Sequence, residues 1–490
     1  MTRFRKLVVL VALLCTGCTI GPRYQRPAAP AAPSLKELAG NDQWKMAAPG
    51  DGLMKGKWWE IFGDPKLNEL EELVAVNNQD VKQAEAQFRE ARALVLSSHA
   101  NYYPTIGASP AITQTYQRKS GTNTFSLPSN TSWEPDFWGR VRLAVQGAVA
   151  NAQVSAADLE NIRLSQQALL ATDYFLLAAQ DMQMAVLTNT IESYERNLQL
   201  TINRHAGGVA SRSDITLAQT QLAAARAQYT EMHVARAQYE HSIAVLTGRP
   251  PSSLEIPTTT ISAPPPPIPL GIPSQLLERR PDIAASERQV AAANANIGIA
   301  EAAYYPTFTL SATPGLLSNS LASLFTYASR FWSAGPSLSQ TLFDFGRRGA
   351  SLQNSEAVYD ATVASYRQTV LGAFQEVEDD LSNLRYLAEE AVQQQEAVVA
   401  AQEALDLEMQ RYRAGTDSYL NVITTQIIAL GDQQTAITIL QRRMTAAVDL
   451  IKALGGGWDA SALPSGNAVR SASLGDPSTT QNVARPASHN

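Results

Sequence analysis

Cysteine is almost missing from this chain: Cys15 and Cys18 are the only two, both in the first eighteen residues, so the body can hold no disulfide. Histidine is scarce as well. His99, His205, His233, His241 and His489 form no set spaced for metal ligation. No Gly-x-x-x-x-Gly-Lys-Ser/Thr phosphate loop is present, and no Ser, His and acid arrangement stands out, so the residues offer no enzyme chemistry. Only 17% of residues are charged and the net charge is −6, which argues against a nucleic-acid partner. Proline is absent from Gly139 to Arg204, and glycine occurs there only at Gly139 and Gly147. That stretch reads as one uninterrupted helix of roughly 100 Å at 1.5 Å per residue.

The apolar run Leu7 to Leu14 is too short for a stop-transfer helix. With Arg3, Arg5 and Lys6 before it, residues 1–17 read as a signal peptide. Its end, Leu14-Cys15-Thr16-Gly17-Cys18, resembles a bacterial lipobox, with Cys18 the residue to be acylated. The lipobox pattern prefers Leu three residues before that Cys; here Cys15 stands there and Leu14 is one further back. Ordinary signal cleavage with an incidental Cys18 is the alternative. Thr19, where an Asp would favour inner-membrane retention, permits outer-membrane sorting.

The two halves of the chain echo each other. Tyr102-Tyr103-Pro104-Thr105 recurs as Tyr304-Tyr305-Pro306-Thr307, an offset of 202; Phe137-Trp138-Gly139-Arg140 recurs as Asp344-Phe345-Gly346-Arg347, an offset of 207. His205-Ala206-Gly207 recurs as Arg413-Ala414-Gly415, an offset of 208. Ordered, nearly constant shifts indicate a duplicated unit of about 200 residues. The expected organisation is a lipid-anchored extended segment over 18–64, a first repeat over 65–260, a Pro-rich linker over 261–272, a second repeat over 273–457 and a disordered tail over 458–490. Helices are expected at Pro65–His99, with Asp64 as N-cap, at 273–303, and from Arg347 to Arg413. The returning helices carry apolar heptads, including Ile423, Leu430, Ile437, Met444 and Ile451, which are coiled-coil seams.

Between the helices lie four strand patterns, at 105–116, 122–134, 307–316 and 332–342. Ile106, Ala108, Pro110 and Ile112 alternate with Thr105, Gly107, Ser109 and Thr113. Phe308, Leu310, Ala312, Pro314 and Leu316 alternate with Thr307, Thr309, Ser311, Thr313 and Gly315. Period two with one apolar and one small-polar face suits a strand between lipid and water, and about ten residues is a membrane-strand length. An edge of a soluble sandwich is the competing reading. Four strands cannot close a barrel, and an open edge in lipid leaves backbone groups unpaired, so the chain must oligomerise: two copies supply eight strands, three supply twelve. Helical hairpins continuing below such a barrel form a tube wall, and the whole is a hollow conduit. A lipid-anchored periplasmic coiled-coil scaffold without a pore explains the heptads equally well but leaves the strands unexplained.

Several stretches are similar to the outer membrane factor family, the TolC- and OprM-like channels, with the OprM/NodT-like lipoprotein branch the best fit. They are Gly21-Pro22-Arg23-Tyr24, Trp58-Trp59 through Phe62-Gly63-Asp64, Trp133-Glu134-Pro135-Asp136, Leu277-Glu278-Arg279-Arg280-Pro281-Asp282-Ile283 and Arg411-Tyr412-Arg413-Ala414-Gly415. The resemblance implies a mixed α and β membrane protein: a homotrimer with a twelve-stranded β-barrel in the outer membrane, four strands per chain, continued by a twelve-helix periplasmic α-barrel. It also implies a periplasmic adaptor, an inner-membrane pump of the resistance-nodulation (RND) type as the energy source, contact with outer-membrane lipid, and no cofactor beyond the lipid on Cys18. The implied role is a passive channel of a tripartite efflux system exporting small toxic compounds. A type I protein-secretion conduit uses the same fold.

The turns at 205–214 and 413–420 then become the periplasmic tips, where Gly207, Gly208 and Gly415 permit reversal and the adaptor docks. Asp214 and Tyr412 match a polar latch of the closed state; a plain capping Asp after Ser211 is the alternative. OprM-like members gate with Leu, then Asp four residues on, then Arg three after that. Here Leu420 matches, but Thr424 and Ile427 replace the charged pair, and Asn421 stands where TolC-like members have Asp. The aperture is therefore expected to close by packing of Leu420 without an acidic ring.

Overall fold

The computed structural model describes residues 20–30, 35–38, 56–117, 120–268 and 276–471. Cys18 and the signal segment, part of the linker and the tail beyond Ser471 lie outside the described residues. Two short helices, α1 (Pro65–Asn77) and α2 (Gln79–Ala100), lead into strands β1 (Thr105–Ala108), β2 (Ala111–Gln117) and β3 (Ser120–Trp133). Helix α3 (Arg140–Ala206) turns back into α4 (Arg212–Leu246). After α5 (Leu276–Arg279) and α6 (Pro281–Ala302) come β4 (Thr307–Ser318), β5 (Arg330–Ser339), α7 (Arg347–Ala414), α8 (Tyr419–Ala453) and the short α9 (Gly466–Ser471). The two long helices have 67 and 68 residues, and each returning helix has 35.

Asp64 caps α1 as expected, accepting from the Lys66 and Leu67 amides. The helix expected to run unbroken from Pro65 to His99 is instead interrupted at Asn78. Its backbone leaves the helical region (ψ 131°), its side chain caps α2 through the Asp80 and Val81 amides, and its Nδ2 donates to Leu246 O at 2.9 Å. Likewise the helix expected over 273–303 breaks at Arg280, ahead of Pro281. The chain expected to be disordered from residue 458 is folded as far as Ser471. There α9 inserts Val469 among Val95, Val145, Val149 and Ala152.

The sheet has four lanes built from five strands. The first expected strand is split because Pro110 lacks an amide proton. The register nevertheless runs through the break: Ala108 faces Ser129, Ala111 faces Ser126, and Ser109 N donates to Pro128 O. Pairing continues antiparallel from β3 to β4 and from β4 to β5. This register aligns apolar positions across β3, β4 and β5: Trp133 lies opposite Leu310, which lies opposite Pro336, and Phe308 lies opposite Leu338. That face is mostly apolar, interrupted in β3 by Ser129 and Thr131, and its outer lanes are bare: Ile106 is 73% exposed and Trp332 79%. Both outer lanes, β1/β2 and β5, have an unpaired edge among the described residues. No described helix is long and apolar enough to cross a membrane.

The junction of sheet and helix is built by aspartates. Asp136 accepts from the Val141 and Arg142 amides at 3.0 and 2.8 Å, and Asp344 accepts from the Gly346 amide and from Arg348 Nε at 2.6 Å. Each carboxylate thereby satisfies donors at the start of a long helix. Midway down the helices a belt core gathers Trp58, Trp59, Leu67, Leu70, Tyr174, Phe175, Val377 and Ile451. The Arg-Arg-Pro-Asp segment is a clamp there. Arg280 grips Asp282 (2.7 Å) and Glu376 (2.6 Å) and donates to Ala453 O, joining α6, α7 and α8.

Candidate functional site at the helical tip

The ends of α3, α4, α7 and α8 meet in a small core of Ala218, Tyr412, Tyr419, Val422 and Ile423. Both reversals use the same device. Gly208 N donates to His205 O and Val209 N to Arg204 O; Gly415 N donates to Tyr412 O and Thr416 N to Arg411 O. The left-handed residues are Gly208 (φ 75°) and Gly415 (φ 81°). Gly207 has φ −80°, so the expectation that it too supplies turning freedom is corrected: its backbone suits any residue.

Tyr412 is buried, and its hydroxyl shares a 3.2 Å hydrogen bond with the buried Thr201 of α3. Arg204 completes the joint. Its guanidinium lies 4.5 Å over the Tyr412 ring and donates to Tyr412 O at 2.5 Å and Arg413 O at 3.2 Å. Three cationic contacts thus tie the last turn of α3 to the last turn of α7, where exposed carbonyls carry partial negative charge. Tyr419 stacks against Tyr412 at 5.1 Å. Burial, then the neighbouring Tyr412, Tyr194 and Asp214, push its phenol up to about 12.

Asp214 does not reach Tyr412 within the chain. Its Oδ2 accepts from Ser211 N at 2.9 Å while Ser211 Oγ accepts from Asp214 N at 3.1 Å, a reciprocal capping box on α4. Within the chain Asp214 therefore caps α4, and the contacts of Tyr412 are with Thr201 and Arg204. Neither of those stood out by composition. Yet Arg204 occupies the position in the first half that Tyr412 holds in the second, one residue before the His205/Arg413 pair.

Leu420, Asn421, Thr424 and Ile427 all lie on the exposed side of α8, opposite the buried Tyr419, Val422, Ile423 and Gln426. Leu420 is 57% exposed and is not one of the residues of the tip core. Thr424 Oγ1 bonds back to Leu420 O at 3.0 Å, and Asn421 Nδ2 donates to Asp417 Oδ1 at 2.7 Å. The face is neutral, except that Asp417 stands at its head. The Ser418 amide and further hydrogen bonds hold that carboxyl below its usual range. No group of described residues could hold a metal ion.

The family model described as outer membrane efflux protein matches residues 70–249 and 272–456. The chain is 32% identical over 471 residues to the probable efflux pump outer membrane protein TtgC of Pseudomonas putida, covering 94% of this chain and 96% of that protein. It is 31% identical over 443 residues to the pyoverdine export outer membrane protein OpmQ of Pseudomonas aeruginosa, covering 87% and 93%. Among solved structures, the outer-membrane channel OprN superimposes with a TM-score of 0.83 at 29% identity, covering 90% of this chain and 100% of that one. The Campylobacter jejuni CmeC outer membrane channel shares the fold, with a TM-score of 0.85 at 22% identity over 95% of this chain and 98% of that one.

Proposed function

This chain belongs to the outer membrane efflux protein family, and from that premise we propose that three copies close into one passive conduit across the outer membrane and periplasm. The protein is an outer-membrane efflux component and not an enzyme. The observation that carries the conduit is the sheet: four lanes, one mostly apolar face exposed in its outer lanes and, among the described residues, two open edges. Lipid rewards the apolar face but leaves the edges unsatisfied until other copies pair with them. Three copies give twelve lanes. The duplicated unit supplies two helical hairpins per chain, hence twelve helices for the wall, and each long helix reaches roughly 100 Å.

The lipid on Cys18 fits this placement. Two residues on, Ile20 N donates to Trp138 O at 3.3 Å. Trp138 itself packs on Tyr305 at 5.0 Å and donates to Pro306 O at 2.7 Å, at the foot of the sheet. An acyl chain on Cys18 would enter the membrane beside that aromatic collar. Energy comes from an inner-membrane pump of the RND type through a periplasmic adaptor that docks on the tip hairpins. The cargo is small toxic compounds; the efflux and pyoverdine-export roles in the names of TtgC and OpmQ support that class. At the tip, Leu420 with Thr424, Asn421 and Ile427 forms the aperture, and Tyr412 with Thr201 and Arg204 forms the latch, while Asp214 shapes the α4 hairpin.

The test is expression, with the cognate pump and adaptor, in a host lacking its own outer-membrane efflux channels. The chain should restore exclusion of an organic dye, and Trp332→Asp with Leu338→Asp, which charge the lipid face, should abolish it. A protein that reaches the outer membrane as an assembled oligomer yet restores nothing would overturn the reading.

A further inference from the structure

Just beneath the sheet lies a cavity of about 700 Å³ that the conduit does not use. Its walls are the extended chain Ile20–Tyr24, the first turns of α3 and the facing side of α6, and α9 closes it with Arg470. Three cations line it, Arg23, Arg288 and Arg470, and no carboxylate does. Arg288 is neutralised by the adjacent Glu287 at 2.5 Å. Arg23 and Arg470 are exposed and have no acidic partner among the described residues. Glu301 stands near the upper rim, beside Gly21, and offsets part of this charge.

The height of the cavity decides what can occupy it. Leu143, at its upper wall, is three residues into α3, about 5 Å below the helix start at 1.5 Å per residue. Val469, next to Arg470, packs in a cluster with Tyr102, three residues before the first strand. The headgroup layer of a bilayer reaches about 5–8 Å beyond its hydrocarbon core. With the sheet spanning the hydrocarbon core, the upper part of the cavity lies at the depth of the inner-leaflet headgroup layer, within reach of long arginine side chains.

We propose that this cavity holds the phosphate headgroup of an anionic phospholipid of the inner leaflet, between Arg23 and Arg470. Gln146 offers a further polar contact below the phosphate, while Gln153 and Asn294 brace the wall through Pro464 O and Pro22 O and the acyl chains stay in the membrane. The site would join the N-terminal anchor segment and the C-terminal helix to the same lipid, fixing the collar against the bilayer. It rests on the outer-membrane placement of the sheet but not on the transport role.

Native mass spectrometry of the detergent-released full-length oligomer tests this, with phosphatidylglycerol and phosphatidylethanolamine offered in equal amounts. The wild type should retain phosphatidylglycerol in preference, and Arg23→Gln with Arg470→Gln should lower that preference roughly tenfold or more, as expected for two juxtamembrane cations. Arg196→Gln, an exposed arginine far down α3, should not change it. Equal retention of both lipids, or a preference that survives the double variant, would overturn the proposal. Displacement of the lipid by millimolar inorganic phosphate would also overturn it, since the cavity would then be a free-anion site. An oligomer that binds lipid as predicted but exports nothing would count against the conduit and leave this site standing.

Discussion

Glu71 offers a sharp test of the belt. It lies on the core stripe of α1 with Leu67, Leu70 and Val74 and is fully buried. Neither carboxyl oxygen has a hydrogen-bond partner among the described residues. Burial alone pushes its pKa well above the ordinary carboxylate range, so the folded chain holds it neutral where the unfolded chain would ionise it. Because the folded pKa is raised, its contribution is most favourable below the unfolded pKa and is lost as pH rises towards the folded one. The loss runs at about 1.4 kcal/mol per pH unit in that window. Leaving a polar group unpaired in an apolar site costs about 1–3 kcal/mol in addition. Glu71→Met, unbranched and similar in length, should therefore stabilise the protein by about 2 kcal/mol or more at pH 7. The advantage over wild type should widen as pH rises above the ordinary carboxylate range. Guanidinium unfolding followed by tryptophan fluorescence reports on this core directly, since Trp58 and Trp59 sit in the same cluster. A variant no more stable than wild type at pH 7, or with an advantage independent of pH, would refute the reasoning.

Other positions yield expectations of the same kind. At Gly455, φ is 91° and an added Cβ would stand 2.0 Å from Arg279 O, so Gly455→Ala should cost about 3 kcal/mol or more, read as a lower unfolding midpoint. Tyr412→Phe removes the Thr201 bond, worth about 1 kcal/mol, and Arg204→Ala removes three contacts. Both should raise closed-state conductance in planar bilayers, Arg204→Ala by more; equal conductance would remove the latch. Leu420→Ala should also raise conductance and antibiotic leakage, and unchanged values would show that this side chain does not close the aperture. Cys18→Ser should weaken anchoring yet leave oligomerisation intact, because the sheet holds the membrane by itself; a monomeric variant would contradict that.

Helix and strand types were legible because their periods are long and clean: the proline-free stretch after Gly139 became α3, and the alternation around Phe308 became β4. What was missed turns on single residues. Asn78 breaks a helix because its amide can serve α2 and Leu246 at once, a long-range contact no local pattern reveals. Pro110 splits a strand assignment without moving the register. Val469 orders α9 by entering a pocket formed by α2 and α3, although the surrounding Ser, Ala and Asn composition resembles loop. At the tip, Tyr412 was visible in its motif. Its partners were not, because a Thr and an Arg on a helix ordinarily face solvent, and here they meet a chain segment about 208 residues away. Ser211, three residues before Asp214, was the local cue to the capping box that the two form.

The most direct measurement is single-particle imaging of the detergent-purified protein. The account predicts a three-fold hollow particle, with a β-barrel at one end, a helical tube at the other, and Leu420 facing the axis near the closed tip. Monomers or solid rods would contradict it, and the mostly apolar sheet face would then need another partner than lipid.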